Sequence, residues 1–299
     1  MALLPFDDRD GVIWYDGELV PWRDGRLHVL SHGLHYASCV FEGERVYDGA
    51  IFKLRDHTER LFNSAKILGF EIPYGIEDID AACKLVVETH GLKNAYVRPV
   101  AWRGSEMMAV SAQHTKVHVA IAAWEWPSYF NPEDRLTGIR LMTSSWKRPA
   151  PDTAPTNSKA AGLYMICTLS KHEAEARGYH DALMLDYRGY IAESTGANIF
   201  LVQDGIIHTP TPDCFLDGIT RRTVIELARA RHFEVVERHI EPDELARTQE
   251  VFLTGTAAEV TPVGEIDGRT FVVGDITRAL IEDYDKLVRG SGSTASSAA

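Results

Sequence analysis

Cysteine is sparse in this chain. Cys39, Cys83, Cys167 and Cys214 stand far apart with no Cys-x-x-Cys pair, which argues against a zinc ribbon and against a disulfide framework. Runs of Lys and Arg are missing too, and the formal net charge is −12, so non-specific binding to nucleic acid is not expected. No stretch approaches the ~20 apolar residues of a spanning helix, and residues 1–8 turn acidic before an apolar leader core forms. A cytoplasmic protein acting on a small ligand, without a membrane partner, is expected. What is present is ordinary for an enzyme: 299 residues, 45% hydrophobic and 25% charged, enough for two domains.

Short runs punctuated by turns fill residues 12–53. Val12 to Tyr15 precedes Asp16-Gly17, and Val40 to Gly43 and Ile51 to Lys53 flank Asp48-Gly49, as in antiparallel strands. Asp56 and Glu59 form a capping-box-like start to a helix carrying Leu61, Ala65 and Leu68 on one face and stopping at Gly69. A second helix is expected over residues 77–88, then strands over 95–102 and 116–123. Residues 1–124 thus read as a small α/β domain, 125–136 as an interdomain loop, 137–290 as a larger domain and 291–299 as a disordered tail. In the larger part, a strand over 139–144 is followed by three prolines, at 149, 151 and 155, which exclude helix there. Helical periodicity then runs from Lys159 to Arg177, and a meander of short strands precedes a helix over 220–231.

Lysine is scarce, nine of the 31 basic residues, and Lys159 is set apart by Ser158, Ala160, Ala161 and Gly162, which leave room for a planar ring. A Schiff-base lysine must lose its proton near neutral pH, which demands burial or cationic neighbours. Glu193 shares a strand face with Ile191, where a carboxylate needs a partner such as a pyridinium N–H. Gly218, Ile219 and Thr220 open a helix, with Thr220 as its cap, and Gly255 to Ala258 form a turn of small residues; both offer backbone amides to a phosphate. Arg60, in the first turn of the Asp56 helix, opposes the helix dipole unless an anion is bound. Tyr164 stands five residues after Lys159. Each has an ordinary alternative: a solvated lysine, a strand-end glutamate, a capped helix, an arginine reaching water, a core tyrosine. Together they point to pyridoxal phosphate. His32 and His35 have metal-ligand spacing, yet no third ligand is evident and no metal is expected.

Taken in order, the segments Ser31 to Tyr36, Val40 to Arg45, Tyr96 to Pro99, the Lys159 segment, Tyr190 to Glu193, Gly218 to Arg221 and Thr254 to Glu259 resemble the fold-type IV pyridoxal-phosphate transaminases. The resemblance covers roughly residues 10–290 and is closest to the branched-chain amino acid aminotransferases. It implies an α/β (α+β) fold of two domains, a small α/β domain and a larger pseudo-barrel. It further implies that Lys159 carries the cofactor and shuttles a proton, that Glu193 keeps the ring nitrogen protonated, and that Tyr164 bonds the ring oxygen. Arg60, Gly218, Ile219, Thr220 and Thr256 would hold the phosphate. Tyr96 with the amides of Thr256 and Ala257 would take the substrate α-carboxylate. Arg98, Tyr36 and Tyr129 would meet the distal carboxylate of glutamate in a pocket including Phe41, with Tyr36 supplied by a second subunit of a homodimer.

The implied activity moves an amino group from Leu, Ile or Val to 2-oxoglutarate. Met107 to Val110 departs from the Met-Gly-Val turn more usual in such enzymes, and Arg103, Glu106 and Met108 are placed to reshape the substrate side. The rival readings are a transaminase for D-amino acids or (R)-amines, an aminodeoxychorismate lyase with the same cofactor, and a silent scaffold of the same fold.

Overall fold

Strands of four or five residues, too short to bury much alone, become stable by adding edge to edge. The computed structural model describes residues 5–126 and 137–290, which fall into two compact units. The first holds residues up to 126 together with Ser158–Gly162. Its sheet comprises β1 (Val12–Tyr15), β2 (Glu18–Pro21), β3 (Cys39–Phe41), β4 (Glu44–Tyr47), β5 (Ala50–Ile51), β6 (Ala95–Arg103) and β7 (Val117–Glu125). The order is β2-β1-β7-β6-β4-β5, with β3 also on β6 and every pairing antiparallel. Two helices, α2 (Leu54–Ile67) and α3 (Ile76–Thr89), follow the short α1 (His32–Tyr36). Leu61 and Ala65 of α2 and Ile79 and Val86 of α3 pack with Val97, Ala101 and Ile121 of the sheet in one apolar core. Period-2 alternation leaves Tyr96, Arg98, Val100 and Trp102 on the opposite face of β6.

The helix boundaries shift from the sequence expectation. Lys53, in a left-handed turn with φ 50°, starts α2, so Asp56 sits inside the first turn, where the dipole favours a carboxylate, rather than capping it. Arg60 therefore lies in the second turn, not the first. Gly69, with φ 72°, ends the helix as expected.

The second unit builds on β8 (Ile139–Thr143), β9 (Asp181–Leu185), β10 (Ile191–Ser194), β11 (Asn198–Gln203), β12 (Ile206–Pro210), β13 (Val235–Arg238), β14 (Glu250–Gly255), β15 (Glu259–Ile266) and β16 (Arg269–Thr270). The path β10-β9-β8-β15-β14-β11 closes because β11 pairs back to β10, making a six-stranded barrel; β12 and β13 continue beyond it. Ile139, Leu141, Leu183, Ile199, Leu253 and Val263 belong to its core. Among the described residues it is accompanied by α4 (Tyr164–Ala176), α5 (Ile219–Ala230) and α6 (Asp275–Gly290). The α/β (α+β) architecture with a pseudo-barrel is thus present. Neither β15 nor α6 is among the elements expected from sequence, although the buried Leu280, Tyr284 and Val288 recur every fourth residue along α6.

Candidate active site

Lys159 does not begin a helix, contrary to the periodicity. Ala160 makes an antiparallel bridge with Val40, a single 3-10 turn covers Ala161–Leu163, and α4 starts only at Tyr164. The extended form lets both peptide groups of Lys159 be used: its N–H donates to Ser64 Oγ at 2.9 Å, and its carbonyl accepts from Phe41 N at 3.2 Å. The half-buried amine lies 5.1 Å from the centre of the Phe41 ring. Burial pushes it below the ordinary lysine value, helped by the Arg60 and Arg98 charges and opposed by Glu42 and Tyr96.

Arg60 forks onto a fully buried carboxylate. Its Nε and Nη2 donate to Glu42 Oε1 and Oε2 at 2.6 and 2.9 Å, and His57 Nδ1 donates to Oε2 at 2.7 Å. Burial disfavours the ionised Glu42, but Arg60 and His57 outweigh it and hold the carboxyl well below its usual range. Sequence reasoning gives neither Glu42 nor His57 a role; fifteen residues separate them, and no local spacing signals the pair.

On β6, Arg98 stands over Phe41 and Tyr96, at 4.7 and 5.3 Å from the ring centres, and its buried Nε has no hydrogen-bond partner among the described residues. Together with Val100, Trp102, Ala120 and Ala122 it walls a cavity of about 360 Å³. A Cβ on Gly43 would come within 1.8 Å of the Tyr96 hydroxyl, so glycine there permits the buried tyrosine its place. Tyr36 closes α1, 43% exposed and stacked on His32 at 4.5 Å. Tyr129 lies outside the described residues.

The second unit carries the other candidates. A register shift between Ile191 and Glu193 breaks the alternation expected for β10. Glu193 Oε1 lies 3.3 Å from the Nε of the buried Arg148, and Asn198 Nδ2 approaches Oε2 at 3.4 Å while donating to the Leu216 carbonyl at 3.0 Å. Arg148 also donates to Cys167 Sγ at 3.3 Å. Nothing in the sequence picks out Arg148 and Asn198, since only the closed barrel brings them to β10.

Gly218, not Thr220, is the N-cap of α5, and no side chain caps the helix. Ile219 and Thr220 are its first residues and are buried. A Cβ on Gly218 would meet Asn198 Oδ1 at 2.2 Å. Thr256, Ala257 and Ala258 form the tight turn between β14 and β15, closed by the Gly255 to Glu259 pair. Tyr164 is the first residue of α4 and contributes a charge interaction to Arg148.

Several side chains are engaged elsewhere. Arg103 donates to the Ala112 and Gly69 carbonyls at 2.7 Å each, and Glu106 accepts from Lys116 N at 3.0 Å, so both brace the loop rather than face a ligand. Met108 is 42% exposed, and Ala109 has φ 151°, a conformation suited to the glycine expected in that turn. His32 Nε2 donates to the Ala109 carbonyl at 3.0 Å and His35 Nε2 to Val29 O at 2.8 Å, which removes those nitrogens from metal binding.

Comparison with known proteins agrees with this geometry. Residues 39–266 match the family described as amino-transferase class IV. A protein of Pseudomonas aeruginosa named branched-chain-amino-acid aminotransferase is 47% identical over 290 residues, 95% of this chain and 94% of its own. A namesake from Escherichia coli K12 is 42% identical over 86% of this chain and 85% of its own. Among solved structures, the Escherichia coli branched-chain amino acid aminotransferase superposes with a TM-score of 0.91 at 39% identity, covering 94% of this chain and 96% of that one. The branched-chain aminotransferase of the archaeon Thermoproteus uzoniensis with norvaline gives 0.90 at 38% identity over 94% and 96%. That of Thermobaculum terrenum in its PLP-form gives 0.85 at 30% identity over 93% and 94%. With a matched family segment spanning well over half the chain and near relatives along almost its whole length, the chain belongs to the class IV aminotransferases.

Proposed function

We propose that this protein is a pyridoxal-phosphate transaminase that moves the amino group of branched-chain L-amino acids, Leu, Ile and Val, to 2-oxoglutarate. The observation that carries the reading is the Lys159 amine, depressed by burial and by Arg60 on a backbone pinned by Ser64 and Phe41. Each unit carries groups whose chemistry suits the cofactor. Lys159 supplies the amine, Arg60 a cation, the uncapped N-terminus of α5 at Ile219 and Thr220 amides for phosphate, and Glu193 a carboxylate for a pyridinium. Tyr164 and Thr256 complete the set. Bound there, pyridoxal phosphate supplies an electron sink for charge developing at the substrate α-carbon.

The protein's own residues do the rest. With the cofactor bound, Lys159 would be the group that holds and moves the proton of the substrate α-carbon; a buried amine with a lowered proton affinity suits that task. Glu193, fixed by Arg148 and Asn198, holds the ring nitrogen in its protonated form. Tyr96 and the amides of Thr256 and Ala257 hold the α-carboxylate. Arg98, whose Nε lacks a partner among the described residues, meets the distal carboxylate of glutamate, while Phe41 and the apolar cavity beside Arg98 suit aliphatic side chains.

The active unit is a homodimer in this reading. Leu27, Leu30, Leu34, Tyr36 and Val110 are 43 to 84% exposed, an apolar set that a second copy would cover. Tyr36 of the partner subunit, with Tyr129, would then complete the distal-carboxylate site. No helix among the described residues is long and apolar enough to cross a membrane; a cytoplasmic place in branched-chain amino acid metabolism belongs to the same proposal.

Borohydride reduction of the holoenzyme followed by peptide mapping tests the reading. A phosphopyridoxyl group on Lys159, and its loss with activity in Lys159→Ala, is expected. Attachment at another lysine, or an active Lys159→Ala, would sink it.

A further inference from the structure

Three polar side chains of α2 share one face, His57, Arg60 and Ser64, spaced three and four residues apart. Ser64 receives the Lys159 amide, while His57 and Arg60 both donate to Glu42, the residue after Phe41, whose own amide takes the Lys159 carbonyl. The Glu42 amide is tied in turn to Pro99 O at 2.8 Å, between Arg98 and the β6 core. Glu42 is therefore held from both ends, with 0% exposure, Oε1 accepting from Arg60 and Oε2 from Gly43 N, His57 and Arg60.

A buried charge of this kind is costly unless it serves a partner. Two effects follow from its position. The bidentate fork fixes the plane of the Arg60 guanidinium, and the negative charge offsets Arg60 as felt at Lys159.

We propose that Glu42, seated by His57, is a positioning residue of this transaminase: it aims Arg60 for phosphate and balances the arginine's charge beside the Lys159 amine. The inference rests on the assignment of Lys159 and Arg60 to the cofactor. Among the described residues of the first unit, the charged and titratable groups acting on Lys159 include Arg60 and His57 from α2, Glu42 ahead of β4, and Tyr96 and Arg98 from β6; Glu44 and Asp80 act on Glu42's surroundings.

The pair predicts opposite consequences for two variants. Removing only the carboxylate takes away a negative charge that opposes Arg60 at the amine, so Lys159 loses its proton at lower pH. Removing both charges brings it back.

The test uses the full chain stripped of cofactor. The pH dependence of Lys159 acylation by a small anhydride, read by peptide mass spectrometry, gives its titration; fluorescence quenching gives the affinity for pyridoxal phosphate and, separately, for pyridoxal. In Glu42→Gln the titration is expected to fall by about one pH unit. Affinity for pyridoxal phosphate should fall about tenfold, with pyridoxal unchanged. In the Glu42→Gln/Arg60→Met double variant, which removes both members of the ion pair and so stays measurable if the single variant misfolds, the titration returns toward the wild type and the preference for the phosphorylated form is reduced to what the α5 amides and Thr256 still supply.

An unmoved titration with unmoved affinity in Glu42→Gln, or a double variant that keeps the wild-type phosphate preference, overturns the inference. If the wild type itself does not attach pyridoxal phosphate at Lys159, the functional reading falls and this inference with it. If the wild type attaches it and the variants change nothing, only the role of Glu42 falls.

Discussion

Gly43 and Glu44 adjoin the Glu42 charge network yet answer to different forces. At Gly43 the constraint is space, because a methyl group would sit 1.8 Å from the Tyr96 hydroxyl. Gly43→Ala must push Tyr96 out of its place, and a misplacement of that size costs about 10²-fold in catalytic efficiency; steady-state kinetics with L-leucine should show the loss chiefly in kcat/KM, and wild-type kinetics would contradict the account. At Glu44 the constraint is charge. Both carboxylate oxygens are buried, with the weak Cys83 thiol as a donor among the described residues, and burial, together with Glu42 and Asp80, raises the carboxyl well above its ordinary value. A carboxyl whose folded proton affinity exceeds its unfolded one stabilises the fold below the unfolded value, near 4.5, and that contribution is lost as pH rises through the folded one. Glu44→Gln should therefore unfold at the same temperature as the wild type at low pH and at a higher temperature at pH 8, by about 1–3 kcal/mol of stability. Melting curves across pH check the sign; parallel curves would refute it. Lys159 and Glu193 stand out in the sequence as candidates only in combination, an amine among small residues and a strand carboxylate ahead of two backbone-rich turns. Glu42, His57 and Arg148 do not, because each gains its meaning only from a partner 15 or more residues away.

Among the elements, α5 concentrates the lesson about caps. Thr220 reads as its cap in the sequence, but Gly218 takes that position, because only a residue without a Cβ can lie against Asn198 there. Asn198 is also the neighbour of Glu193, so in the proposed site one glycine would couple the helix end offered to phosphate to the carboxylate offered to the ring nitrogen. Gly218→Ala should accordingly weaken pyridoxal phosphate binding by tenfold or more and shift the absorbance of bound cofactor, whereas a cofactor spectrum and affinity like the wild type's would show that the contact is unimportant. Strand positions with clear alternation and helices with Gly stops were readable along the chain: β6, β7 and α3 fall within a residue or two of expectation. The start of α4 was not, since the bridge of Ala160 to Val40 holds Lys159 extended against a helical local pattern, a case of tertiary pairing overriding periodicity. A left-handed Lys53 likewise moves the cap of α2 three residues ahead of Asp56 without leaving a residue-type signature.

At the scale of the molecule, chain order conceals what closure reveals. The barrel of the second unit depends on β8 pairing in parallel with both β9 and β15, partners about 40 and 120 residues away, which no local pattern announces. The apolar exposure at Leu27, Leu30, Leu34 and Val110 belongs to this scale too. Sedimentation should give a mass about twice the 33.3 kDa of one chain, and Leu34→Glu should shift it toward monomer with a loss of glutamate turnover, because Tyr36 then has no neighbouring site to complete. A fully active monomer would contradict that arrangement. The central claim, a transaminase for branched-chain L-amino acids, meets its most direct test in single-turnover absorbance of the cofactor-loaded enzyme mixed separately with L-leucine, D-alanine and (R)-1-phenylethylamine. Rapid conversion of the cofactor band to its aminated form by L-leucine alone is the predicted result; equal speed with D-alanine or the (R)-amine would leave family and fold standing and contradict the substrate assignment.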